Sequence, residues 1–106
     1  MKEGTDTASK FKFLPSVGVP YVDQGRIFFH CRDYKNLSER DRLAIDRICL
    51  KAAGGDRTYA EALKEFMTTG RDFNRVCMDH YISAATLDRM RKKFFLIFTE
   101  QEVASR

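Results

Sequence analysis

The side chains with chemistry to offer fall into two sets. His30-Cys31, Cys49 and Cys77-x-x-His80 supply nitrogen and sulfur donors of the kind zinc takes, and Cys77 and His80 share one face of a predicted helix. Their spacing is not that of a zinc knuckle, and Cys49 and Cys77 both continue apolar stripes. The thiols are therefore expected to act as small buried hydrophobes, with no metal and no other cofactor. The second set is cationic: Arg71, Arg75, Arg89, Arg91, Lys92 and Lys93 face only three carboxylates, Asp72, Asp79 and Asp88, within residues 71–93. Residues 36–70, by contrast, balance six cations with six acids. A local excess of that kind suits a polyanion such as nucleic acid. Gly-rich phosphate loops, a nucleophile-elbow Ser and paired carboxylates in an apolar setting are missing from the sequence, and His80 at a helix end can simply partner a carbonyl or cover the core. A non-enzymatic protein is expected.

Those cations need a scaffold, and 106 residues provide one domain with a single core. The net charge of +4 and pI near 9.1 permit attraction to polyanions without requiring it. Three cysteines, an odd number with no Cys-x-x-Cys pair, argue against a disulfide framework and for a reducing, cytoplasmic setting. The polar opening does not resemble a signal peptide, and no run is long and apolar enough to cross a bilayer, so no membrane association is expected.

Residues 1–10 read as a flexible tail, 11–98 as a single helical domain and 99–106 as a second flexible tail. The fold class expected is mostly α, with four helices and a short N-terminal β-hairpin. The hairpin is placed on Tyr21-Val22 and Arg26 to Phe29, with Asp23-Gln24-Gly25 as its turn. Ser38 caps a first helix whose stripe is Ala44, Ile45, Ile48, Cys49 and Ala52, closed by Gly54-Gly55. Thr58-Tyr59-Ala60-Glu61 matches a capping box for a second helix that stops at Gly70. Asp72 caps a third helix, Phe73 to His80, and Ser83 a fourth, ending near Phe98. Phe94 to Phe98 is apolar on every face, which predicts burial under the hairpin and first helix or against a second copy of the chain.

The last two helices carry a recognisable order. Ile82-Ser83-Ala84-Ala85-Thr86-Leu87-Asp88-Arg89 runs apolar, Ser, small, small, Thr, apolar, any, Arg; Val76 and Cys77 point inward before it, and Leu87 and Met90 within and after it. This resembles the helix-turn-helix of DNA-binding proteins, here spanning 73–98, and in particular region 4 of bacterial sigma factors and small regulators of phages and conjugative elements. Leu37-Ser38-Glu39-Arg40 opening a helix is similar to how those regions begin. The corner residue, commonly Gly, is Tyr81. The resemblance implies sequence-specific binding of double-stranded DNA in transcriptional regulation. Ala84, Ala85, Asp88 and Arg89 would lie toward base edges, with Arg89 placed for a bidentate contact to guanine. Arg71, Arg75, Arg91, Lys92 and Lys93 would meet phosphates. The alternative is a protein-interaction module that uses the helix-turn-helix as scaffold, with RNA polymerase or a second copy as partner. Exposure of Phe28, Phe29, Phe94, Phe95 and Phe98 in one patch would favour it.

Overall fold

A computed structural model describes residues 13–14 and 17–104; the tail expected over 1–10 and the last two residues, 105–106, lie outside them. Five α-helices follow in order: α1 (Tyr21–Arg32), α2 (Glu39–Ala52), α3 (Arg57–Thr69), α4 (Phe73–His80) and α5 (Ala84–Ala104). A 3-10 turn at Tyr34–Asn36 links the first two, and no strand occurs among the described residues.

The expected hairpin is thus overturned: its two strands and their turn are one continuous helix, α1. Pro20 stands at its N-cap, Asp23 favours the positive end of its dipole, and His30 and Arg32 occupy the last turn. The buried residues Gln24, Ile27, Phe28 and Cys31 recur at helical spacing, which outweighs the strand propensity of the β-branched and aromatic residues. Gln24 is wholly buried. Its Oε1 accepts from the Leu14 amide at 2.9 Å, and its Nε2 donates to the carbonyls of Leu14 and Val19 at 2.9 and 2.8 Å. One side chain thereby ties the segment before α1 to the helix and brings Leu14, Val17 and Val19 into the core.

The remaining helix starts follow local capping. Ser38 Oγ accepts from Asp41 N at the head of α2. At α3 the cap is Asp56, accepting from Tyr59 N at 3.1 Å, so the helix begins before the capping box expected at Thr58. Gly70, at φ 72°, closes α3 in the left-handed conformation. The chain from Thr99 to Ala104, expected as tail, continues α5, and Arg26 of α1 donates to Glu102 at 2.7 and 2.8 Å.

α2 packs on α3 and α5, and α3 reaches α1, α4 and α5, so α3 and α5 are the spine of the core. Phe94 and Phe95 are fully buried within this one chain, and Phe28 is buried too. Phe98 lies partly buried against the His30 ring, and Phe29 is half exposed. Of the apolar end of α5, Phe94 and Phe95 are core, Ile97 and Phe98 are partly buried and Leu96 is 41% exposed, so it is not buried on every face as expected. α5 packs on α2 and on α1, the helix that replaces the expected hairpin.

Candidate nucleic-acid interface

The geometry of the α4–α5 unit begins with how α4 stops. Ile82 N donates to Cys77 O at 3.0 Å and Tyr81 N to Met78 O at 3.4 Å, the bond pair of a Schellman ending, with Ile82 and Cys77 both buried as its apolar contact. Tyr81 takes the left-handed position at φ 56°, ψ 45°. Asp72 caps α4 by accepting from Arg75 N, and Ser83 Oγ accepts from Thr86 N at 3.1 Å to start α5. Val76, Cys77, Ile82, Leu87 and Met90 are all buried, so the small shared core expected of these helices is present.

Tyr81 is the only non-Gly residue at positive φ among those described, and its side chain is 94% exposed. The ring packs on almost nothing, while an L-residue with a Cβ is disfavoured in this conformation by about 1–2 kcal/mol. Tyr81→Gly is expected to stabilise the fold by about 0.5–1 kcal/mol, after the extra chain entropy of Gly is deducted. Urea unfolding followed by circular dichroism measures it; a midpoint below wild type would contradict the account of this corner.

The outward faces are less uniform than the inward ones. Ala84, Ala85, Arg89 and Lys93 are exposed on α5; Ala85, Arg89 and Lys93, four residues apart, share one face, and Ala84 stands beside it in the first turn. Beside them, Phe73, Asn74, Ala84, Ala85, Asp88 and Arg91 line a groove between α4 and α5, open because the alanines are short. Asp88 lies partly buried at its edge and is bound by Arg91 and, at 3.2 Å, by Lys92. Burial pushes the Asp88 carboxyl up, but the hydrogen bonds from Arg91 and Lys92 outweigh it and hold the group below its ordinary value.

The cations expected on phosphates divide in two. Arg91 is a packing residue: its side chain is 11% exposed, and its guanidinium sits 5.1 Å from the Phe73 ring centroid and 5.6 Å from that of Phe66. Arg71 bridges Glu65 and Asp79, 2.7 Å from the latter, and Lys92 is held by Asp88. Arg75, Arg89 and Lys93 are exposed and form no ion pair among the described residues. They are the cations of this unit available to an outside anion.

Arg71 belongs to a clasp between α3 and α4. His80 Nε2 lies 2.9 Å from Glu65 Oε1, while Arg71 holds the other Glu65 oxygen. The bond from His80, with Arg71 reinforcing it against the opposing effect of burial, keeps Glu65 below its ordinary value of 4.5. A carboxyl depressed on folding contributes stability that is present above the unfolded value and lost as pH falls through the folded one. Glu65→Gln should therefore lower stability at neutral pH and flatten its decline below pH 4.5, read by urea melts across pH. A decline as steep as wild type would show that the clasp contributes nothing.

The zinc-type ligands do not gather: among the described residues no three His, Cys, Asp or Glu side chains converge on a metal position. Cys31, Cys49 and Cys77 are buried thiols, and burial pushes Cys49 up to about 12. They fill space rather than react. No helix among the described residues is long and apolar enough to cross a membrane. In comparisons with known proteins, no family model matches the chain, and no significant match was found among curated proteins or solved structures.

Proposed function

We propose that the protein binds double-stranded DNA sequence-specifically in transcriptional regulation, with α5 entering the major groove. The observation that carries this reading is the joint: two short-coupled helices meet at a left-handed corner sealed by Ile82, which leaves Ala84 at the start of α5, and Ala85 and Arg89 together on one face, clear of the core. Short side chains at the start of that face let the backbone approach base edges. Arg89, exposed and without an ion pair among the described residues, has the reach for a guanine. Arg75 and Lys93 would contact phosphates; Arg71, Arg91 and Lys92 are committed to carboxylates, and Arg91 also to aromatic rings.

Selection from a random duplex library tests the proposal. Enrichment of a defined site supports it, and recovery of unrelated sequences after repeated rounds contradicts it. One observation favours the protein-contact alternative: Met78, 67% exposed, and Tyr81 are neighbours on the solvent side of α4 and its corner. On that reading RNA polymerase or a second copy of the chain would cover them, and selection would enrich nothing.

A further inference from the structure

The basic surface of α5 is not the only one. On α2, Arg40, Arg47 and Lys51 lie at positions i, i+7 and i+11, which places them along one flank of the helix turned away from its buried stripe of Ile45, Ile48, Cys49 and Ala52. All three are exposed, and among the described residues no carboxylate forms an ion pair with any of them. Asp46 is taken by Lys64 at 3.1 Å and by the Tyr34 hydroxyl at 2.9 Å, and from Arg47 to Gly55 the chain carries no carboxylate. Glu39 and Asp41 flank Arg40 in the first turn, where they serve the positive end of the helix dipole.

Helix electrostatics do not account for this stripe. Lys51, in the last turn, suits the negative end of α2, but Arg40 stands in the first turn, where a cation is disfavoured. A charge kept at an unfavourable place, without a partner inside the fold, is available to one outside. The stripe covers about 16 Å along the helix at 1.5 Å per residue. That length matches about five nucleotides of one strand at ~3.4 Å each, so three long cationic side chains can each meet a phosphate.

We propose that this flank of α2 is a second DNA-contacting surface, binding the phosphate backbone of a duplex without reading its sequence. The choice of DNA as the polyanion rests on the function proposed above, whereas the position of the surface does not. With Arg75 and Lys93 alone on phosphates, the logarithm of the binding constant should fall against the logarithm of salt concentration with a slope of magnitude about 2; three further phosphate contacts raise it to about 4–5.

The test compares wild type, the triple variant Arg40→Gln/Arg47→Gln/Lys51→Gln and Arg89→Ala, each on a selected duplex and on a scrambled one, by anisotropy across a salt series. Circular dichroism melts confirm that each variant is folded. The expected result is a triple variant whose slope drops by about 2–3 on both duplexes while its preference between them is unchanged. A triple variant with the slope of wild type, alongside an Arg89→Ala variant that has lost preference, overturns the inference and leaves the α5 reading standing. If no protein prefers either duplex but the triple variant still loses slope, the α5 reading fails and the α2 surface stands.

Discussion

Gln24→Leu is expected to remove about 3 kcal/mol or more of stability, a large part of the 5–15 kcal/mol typical of a domain. The substitution keeps the volume and the buried position but deletes three hydrogen bonds. It leaves the Leu14 amide and the Val19 carbonyl without their partner, at about 1–3 kcal/mol for each group that stays buried, while the Leu14 carbonyl keeps only the longer bond from Val17 N at 3.3 Å. If the segment instead swings out to water, Leu14, Val17 and Val19 leave the core with it, and their burial is lost. Both routes destabilise, and amide exchange separates them: release of the segment abolishes protection at Leu14 while α3 and α5 keep theirs. A variant as stable as wild type would show that the segment is not held by this side chain.

The second large effect concerns binding. Arg89→Ala should reduce the preference for a selected site by about 5- to 150-fold, the 1–3 kcal/mol carried by one bidentate base contact. Stability should hardly move, because the side chain is exposed and pairs with no described carboxylate. Arg89→Lys keeps the charge but not the planar fork, so it should retain affinity for the scrambled duplex while losing most of the extra affinity for the selected one. Loss of affinity without loss of preference would make Arg89 a phosphate contact and shift base reading elsewhere on α5.

What the sequence made legible was local. Caps at Ser38, Asp72 and Ser83 each act within three residues, and the inward faces of α4 and α5 follow helical spacing, so Val76, Cys77, Ile82, Leu87 and Met90 could be placed before any coordinates. α1 was misread because its central stripe contains a Gln. Asp-Gln-Gly has the texture of a turn, and only the backbone of Leu14 and Val19, brought in by tertiary structure, makes that Gln a buried residue. The same spacing of Gln24, Ile27, Phe28 and Cys31 was available to be read as a helix. The helical turns after Phe98 were hidden because their anchor, Arg26 on Glu102, spans 76 residues.

At the candidate interface, the pairing of Asp88 with Arg91 and Lys92 was visible as neighbours three and four residues apart on one helix. The commitment of Arg71 to Glu65, and of Arg91 to the rings of Phe66 on α3 and Phe73 on α4, was not, since these contacts join separate elements. Counting charge along the chain therefore overstated the cations that α4 and α5 can present.

Whether the exposed face of α5 reads duplex DNA through Arg89 is decided by one titration. Wild type and Arg89→Ala are each titrated onto the selected duplex and a scrambled duplex at one moderate salt concentration, and the ratio of the two affinities is compared. The expected ratio is well above one for wild type and collapses toward one in the variant. Equal ratios for the two proteins would contradict that role of Arg89.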